Sequence, residues 1–280
     1  MRLDLHVHTT FSDGDMTPQQ VAELAKSVGL DGVAITDHDE CRGFSELVPV
    51  PGMMLIPGIE IAAMEGDCEV HVLGLNINCR SRGIHSYVRS AVEKRRQRAR
   101  TIADKLQAAG YNVTLEDIEQ ECRGNAPGRP HIALALIKQG YAQTLEDAFE
   151  RFVARGTPFY VPLPRVSVER AAEIIVQAGG KPVLAHPGLM KGGVWDALAP
   201  RLKDAGFWGV EAFHPAHSDG QCRIFESEAR RLELFVTSGS DFHGALGSRA
   251  PLGGEKRGGA YLRKSIKALL GGIRSGAYAI

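Results

Sequence analysis

The chain carries no net charge. Its 33 lysines and arginines balance 33 aspartates and glutamates over 280 residues, so attraction to a polyanion has to come from local patches rather than from the field of the whole molecule. Cysteine is sparse and badly arranged for cross-linking: Cys41, Cys68, Cys79, Cys122 and Cys222 are odd in number and show no C-x-x-C spacing. That argues against a disulfide framework or a thiolate zinc site, and a reducing cytoplasm is the expected location. No run is apolar enough to suggest a membrane span. The first strand signal begins near residue 3, which leaves no room for a secretory leader, and none is expected. Disorder is not indicated either, since 44% of positions are apolar and 24% charged. A chain of this size can bury a full core as one large α/β domain, or as one domain with a sizeable insertion.

What the sequence does have is histidine and acid at the ends of short apolar runs. Leu3-Asp4-Leu5 leads into His6-Val7-His8, with Asp13-Gly14 following. Two histidines one residue apart can turn toward a single point where a strand gives way to its loop. Mixed imidazole and carboxylate donors suit Mn, Fe or Zn better than Mg or Ca. Two histidines alternating along a half-buried strand would look the same; the positions of the others separate the two readings.

Thr17-Pro18-Gln19-Gln20 is a capping box with proline at the first helical position. Val21, Leu24, Ala25 and Val28 then recur at helical spacing before Gly29 closes the segment. Gly32–Thr36 reads as a buried strand ending in Asp37-His38-Asp39. Met54–Ile59 is a third strand running into Glu60, and Glu69–Leu75 a fourth carrying His71. From residue 83 to 165 the alternation stops. Helices are expected over Tyr87–Ala109, after Thr114, over Ile132–Gln139 and over Leu145–Val153. Lys94, Arg95, Arg96, Arg98 and Arg100 form a basic run that reads as a solvated face, with a phosphate-steering surface as the alternative. Gly124-Asn125-Ala126-Pro127-Gly128-Arg129-Pro130-His131 differs in kind. It carries Arg129 and His131 into a helix start, where free N–H groups and the dipole favour phosphate.

Alternation resumes when Ser167 caps a helix over Val168–Gln177. Three more strands follow: Lys181–Ala185 ending in His186, Gly209–Phe213 followed by His214 and His217, and Leu234–Ser238 ending in Asp241 and His243. Seven strands, mostly separated by helices, predict an α/β fold: a distorted seven-stranded β/α barrel with a helical insertion between strands four and five. In such barrels the chemistry sits at the C-terminal ends of the strands, which is where almost every candidate ligand falls.

H-x-H with Asp13, the T-D-H of His38, Glu60, His71, the A-H-P-G around His186 and the terminal G-S-D-F-H together resemble the polymerase and histidinol phosphatase superfamily of metal-dependent phosphoesterases. The motifs span residues 6 to 243. The insertion, the G-R-P-H loop and the F-H-P-A-H-S segment are similar to the branch holding 3',5'-nucleoside bisphosphate phosphatases and 5'-to-3' oligoribonucleases. The resemblance implies a barrel over 1–82 and 166–280 and a substrate cap over 83–165. It implies up to three divalent transition metals, manganese first and iron or zinc as alternatives. Their expected ligands are His6, His8, Glu60 and Asp241 for one ion, Glu60 again with His71 and His186 for a second, and Asp13, His38 and His243 for a third. The expected reaction is in-line hydrolysis of a 3' phosphoester in a bisphosphorylated nucleoside or a short 5'-phosphorylated RNA. Arg129, supported by His131, is the candidate anchor for the 5'-phosphate. His217 is the candidate phosphate contact and catalytic proton donor, an imidazole titrating near working pH; a histidine that only orients a ligand is the competing reading. No membrane and no obligate protein partner is expected. Trp195 and Trp208 read as packing residues and His85 as a surface residue. Rival readings are histidinol phosphatase or another small-molecule phosphatase, a non-catalytic metal-binding module, and an amidohydrolase, whose bridging lysine has no counterpart here.

Overall fold

In the computed structural model, which describes residues 1–122, 126–245, 250–254 and 258–271, the chain runs in order through β1 (Leu3–Asp4), α1 (Pro18–Ser27), β2 (Gly32–Ile35), β3 (Met54–Glu65), β4 (Cys68–Leu75), α2 (Arg82–Ala108), α3 (Leu115–Glu121), α4 (Arg129–Lys138) and α5 (Leu145–Ala148). It continues through β5 (Val166–Ser167), α6 (Val168–Gln177), β6 (Lys181–Leu184), α7 (Val194–Leu198), β7 (Gly209–Phe213), α8 (Asp219–Arg231), β8 (Phe235–Ser238) and α9 (Ala260–Gly271). Gly124 and Asn125 of the glycine-rich loop lie outside the described residues.

Every residue of β2 and β7 is buried. These strands read as apolar runs, broken only by Glu211 in β7, because the sheet is covered on both faces, as a sheet with helical crossovers must be. The strand order is β1-β2-β3-β4-β6-β7-β8, with the short β5 attached to β3 at Ala63 and Met64. The ends of this order meet. Leu5 N–H donates to Ser238 O (3.1 Å), Asp241 N–H to His6 O (3.0 Å) and His8 N–H to Phe242 O (2.8 Å). The result is a nearly closed barrel, an α/β architecture of the kind the alternation predicts.

Two features depart from a simple β/α repeat. β3 is twice as long as its apolar run suggests: Met54–Pro57 pairs in parallel with β2, and Gly58–Glu65 then pairs with β4. Glu60 is therefore inside a strand rather than after one. β4 is antiparallel to both its neighbours, β3 and β6. A turn of two residues, Gly66 and Asp67, joins β3 to β4, as only an antiparallel pair permits. The reversal carries His71, in the first half of β4, to the end of the barrel where the parallel strands finish.

Local signals start α1 and α6 where expected. Thr17 accepts from Gln20 N–H (3.3 Å) while the Gln20 side chain accepts from Thr17 N–H (2.8 Å), and Ser167 accepts from Arg170 N–H (3.2 Å). Such caps contribute about 1 kcal/mol each. Around β2, Val21, Ala25, Val33, Ile35, Leu55 and Phe242 form one buried cluster, and α6 packs on β3, β4 and β6.

The chain divides into two compact units, Met1–Ser86 with Arg165–Ile280, and Tyr87–Pro164. The second is helical and has its own core, in which Ile102, Leu106, Ile118, Ile132, Leu136 and Phe152 are nearly inaccessible. Tyr111 stands edge-on to Tyr141, Phe152 and Phe159 within it. The segment expected as one helix over Leu145–Val153 is instead α5 followed by a π-helical turn, Phe149–Val153. The basic run is not wholly a solvated face. Lys94, Arg96 and Arg100 are exposed and Arg96 pairs with Glu119 (2.7 Å), but Arg98 is buried at 8% exposure.

Candidate metal centre

Strand geometry aims the first two histidines. Successive side chains alternate across a strand, and Val7 is pinned into the core. Its N–H donates to Thr36 Oγ1 (2.9 Å) and its carbonyl accepts from Thr36 N–H (2.9 Å). His6 and His8 consequently share the opposite side, both fully buried. His38 follows β2 and is held against β3 by Asp39 N–H on Glu60 O (2.8 Å) and Glu60 N–H on Asp37 O (3.1 Å). His186 follows β6, and Asp241 and His243 follow β8. Asp39, His186 and Asp241 have φ of 53°, 25° and 55°. Left-handed backbone at non-glycine residues costs about 1–3 kcal/mol each and persists where the surroundings over-determine it.

All nine candidate ligands come together. Glu60 faces two sets of imidazoles, one per carboxylate oxygen. Its Oε1 lies 2.9 Å from His71 Nδ1, 3.2 Å from His186 Nε2 and 3.3 Å from His6 Nε2; its Oε2 lies 2.8 Å from His38 Nδ1 and 3.3 Å from His8 Nε2. Asp241 Oδ1 is 3.4 Å from His6 Nε2 and 3.3 Å from His8 Nε2. Asp13 is 3.3 Å from His243 Nε2 and 3.8 Å from His38 Nε2. Four overlapping groups have donor spacing suited to a cation: His8, Asp13, His38 and His243; His6, Glu60 and His186; His6, His8 and Asp241; and His38, Glu60 and His71.

Burial opposes charge at each of these groups, and at most of them the neighbours outweigh it. Against its desolvation, the imidazoles of His71, His38 and His6 hold the Glu60 carboxyl well below the usual range. Asp13 and Asp241 are likewise buried yet held low, by His38 and His243 in one case and by His6 in the other. His8 is pushed up to about 10, its burial outweighed by hydrogen bonds to Asp241 and Glu60, and His71 up to about 9 by Glu60 despite the same penalty. Burial wins at His38 and His186, which sit below their ordinary value.

A set of partners to which the motif pattern gives no role orients these ligands. His6 Nδ1 donates to Glu211 of β7 (3.1 and 3.2 Å), leaving Nε2 for the centre, and Glu211 also accepts the His186 N–H (2.8 Å). The buried carboxyl of Glu211 is drawn down to about 2, its desolvation outweighed by His6. Asp37 accepts from Thr9 N–H (2.7 Å), Thr9 Oγ1 (2.8 Å) and Ser12 Oγ (2.7 Å), and Ser12 Oγ stands 3.4 Å from His8 Nδ1. His71 Nε2 donates to Glu69 (3.2 Å), which also accepts from Arg165 (3.0 Å). An outer carboxylate that fixes an imidazole's tautomer is a recurring feature of metal sites. The available sequence signal was a glutamate in the middle of the apolar strand Gly209–Phe213.

His214 is also fully buried. Its Nδ1 accepts from Ala216 N–H (3.1 Å), and Nε2 lies 3.6 Å from Asp241 Oδ2. The candidate proton donor, His217, has both ring nitrogens engaged: Nδ1 donates to Ala212 O (3.0 Å) and Nε2 accepts from Gly188 N–H (3.1 Å). Burial lowers its pKa. In this conformation His217 braces the turn after β6, and the adjacent Ser218 caps α8. In the helical unit, Arg129 is the first residue of α4 and lies 5.9 Å from the Phe149 ring; His131 Nδ1 accepts from Gly128 N–H (2.9 Å), tying down the start of that helix. Trp195 packs edge-on against Phe225 and Trp208 stacks on Phe235, while His85 is exposed.

Hydrogen bonding supplies the test of whether these residues suit divalent ions. Asp13 Oδ1, His38 Nδ1, Glu60 Oε2, His71 Nδ1 and His214 Nε2 are buried and crowd a carboxylate or imidazole at 2.8 to 3.6 Å without a well-aligned hydrogen bond, a state that native interiors avoid. Four of the five are candidate ligand atoms. His6 Nε2 and His8 Nε2 also face each other at 3.2 Å. Cations would satisfy the candidate ligand atoms together, and the nitrogen-and-oxygen donor set suits Mn, Fe or Zn. The residues fit divalent metals.

Comparison with known proteins bears on the same site. The profile of the PHP domain matches residues 4–149. The 5'-3' exoribonuclease Rnm of Escherichia coli (strain K12) is 34% identical over 252 residues, covering 86% of this chain and 84% of its own. The 3',5'-nucleoside bisphosphate phosphatase of Chromobacterium violaceum is 32% identical over 247 residues, covering 86% and 87%. The phosphoribosyl 1,2-cyclic phosphate 1,2-diphosphodiesterase of Eggerthella lenta is 32% identical over 251 residues, covering 87% and 95%. A solved structure of an amidohydrolase from Chromobacterium violaceum with bound sulfate matches with a TM-score of 0.84 at 29% identity over 97% of each chain. The profile covers more than half of the chain and includes the ligands from His6 through His71, and on that ground the chain belongs to the PHP domain family.

Proposed function

We propose that this protein is a metal-dependent phosphoesterase acting on ribose phosphoesters. Its substrates in this reading are nucleoside 3',5'-bisphosphates, cleaved at the 3'-phosphate, or 5'-phosphorylated oligoribonucleotides, shortened 5'-to-3'. The observation that carries the reading is the convergence of three carboxylates and six imidazoles in one cluster. His6, His8, Glu60 and Asp241 would hold one ion, Glu60 with His71 and His186 a second, and Asp13, His38 and His243 a third. Manganese is the first choice. When bound, such ions polarise phosphoryl oxygens and make water acidic enough to attack near neutral pH.

The remaining work falls to the chain. Three carboxylates bring less negative charge than two or three divalent ions bring positive, so the loaded centre favours an anionic substrate. Glu211, Glu69 and the Asp37–Ser12 pair keep the imidazoles in position. Arg129, its loop secured by His131, would anchor the 5'-phosphate by a charge-assisted contact, and the helical stretch 83–165 would serve as the substrate cap. For His217 to protonate the leaving oxygen, its Nε2 must exchange the Gly188 N–H for substrate.

The Eggerthella lenta relative favours a second reading, hydrolysis of a cyclic phosphodiester on ribose. A substrate panel on chelator-stripped protein reloaded with manganese tests both. Release of phosphate from adenosine 3',5'-bisphosphate or of nucleotides from 5'-phosphorylated RNA is expected, lost on chelation, with more than one metal per chain by elemental analysis. Activity indifferent to chelation with at most one metal bound would refute the metal assignment. Faster turnover of histidinol phosphate than of every ribose ester would move the substrate to that alternative.

A further inference from the structure

Two of the five cysteines, unremarkable in the sequence, meet in the fold. Cys41 lies three residues beyond His38 and is 4% exposed; Cys79 lies on the segment leaving β4 and is half-buried. The Cys41 thiol donates to the Cys79 carbonyl oxygen (3.9 Å), which brings the two side chains next to each other. Cys79 also lines a cavity of about 530 Å³ with Phe44, Leu47, Met53 and Arg80. Among the described residues, no group with cation-binding spacing includes a cysteine, so the metal centre does not account for the pair.

We propose that Cys41 and Cys79 are a redox pair that closes a reversible disulfide, Cys79 meeting a small oxidant in the cavity and Cys41 resolving it. The division of labour follows from access. Cys79 is the more exposed and lines the cavity, so an oxidant reaches its sulfur first. Cys41 is buried behind it, which suits a group that reacts only once its neighbour has been oxidised.

With hydrogen peroxide as the oxidant, the Cys79 sulfur attacks one oxygen and the O–O bond breaks. The departing hydroxide takes up a proton as water, leaving a sulfenic acid. Cys41 sulfur then attacks Cys79 sulfur, the S–O bond breaks and a second water leaves. Two thiols and one peroxide become one disulfide and two waters, and a dithiol reverses the step by exchange. The bond would join the segment following His38 to the one leaving the strand that carries His71.

The test exposes reduced, manganese-loaded full-length protein to peroxide, alkylates free thiols after unfolding, and maps peptides without reduction. The expected result is a Cys41–Cys79 linked peptide lighter by two hydrogens than its parts. Alkylatable thiols should fall from five to three, and dithiothreitol should restore them. Cys41→Ser should leave Cys79 as a sulfenic acid trapped by dimedone, and Cys79→Ser should leave Cys41 fully alkylatable. The proposal is overturned if both cysteines stay alkylatable at peroxide doses that oxidise glutathione. It also fails if Cys79 passes to higher oxides without linking, or if the linkage involves Cys68, Cys122 or Cys222. The wild-type peptide map decides the matter even if a variant does not fold.

Discussion

Glu60 is where the centre concentrates its dependence on a single side chain. One carboxylate serves five imidazoles from four parts of the chain, and each oxygen has its own set. Replacing it with glutamine removes charge from two neighbouring positions at once, whereas Asp13 contributes to one group at the edge of the cluster. Glu60→Gln should therefore lower turnover by at least about 100-fold, the upper end of what losing a mere orienting partner costs, and should deplete bound manganese. Asp13→Asn should cost less in both. Steady-state kinetics with parallel elemental analysis checks the ranking; a glutamine variant with near-normal activity and metal content would displace Glu60 from the centre.

At the scale of elements, the loops after β1, β6 and β8 work only because strands bring them close, and one glycine records how close. A Cβ on Gly239, just past β8, would collide with His6 Cβ and the Glu211 carboxylate. Gly239→Ala must push His6 away from the carboxylate that sets its tautomer, an overpacking cost of about 1–3 kcal/mol. The expected result is a melting temperature lowered by several degrees together with weaker manganese binding. Gly259→Ala, where nothing lies within 4 Å of the new methyl group, should leave both unchanged. If the two variants melt and bind alike, Gly239 is not positioning His6. The direction of β4 belongs to this scale too: a parallel β4 would carry His71 toward the opposite end of the barrel from Glu60.

For the molecule as a whole, the question is how substrate is held, since the metal donors by themselves suit any phosphoester. Binding energy from a remote phosphate can position the scissile bond, so substrates lacking it should react more slowly already in the wild type. On the reading of Arg129 as the anchor, the wild type should prefer 5'-phosphorylated RNA over its 5'-hydroxyl counterpart. Arg129→Ala should abolish that preference while sparing a small phosphate ester. Competition between the two RNAs, followed by their relative kcat/KM, measures it. Equal wild-type rates, or a preference that survives the substitution, would leave Arg129 as the first residue of a helix and nothing more.

The sequence by itself determined what depends on residue type and short spacing. H-x-H, T-D-H and G-S-D-F-H placed donors where apolar runs end, Thr17 and Ser167 announced their helices, and the pause in alternation after residue 82 marked the helical stretch. These are legible because a donor atom or a cap acts within a few residues of itself. Only the tertiary structure decided that Glu60 lies inside a long strand, that β4 runs backwards, and that Glu211 holds the imidazole of His6. Only the fold, too, engages both nitrogens of His217 and sets Cys41 against Cys79. The partners lie far apart in the chain, 205 residues for His6 and Glu211 and 38 for the two cysteines. No local periodicity encodes such a pairing: it exists once the barrel closes and the chain's distant strands supply one another's hydrogen bonds.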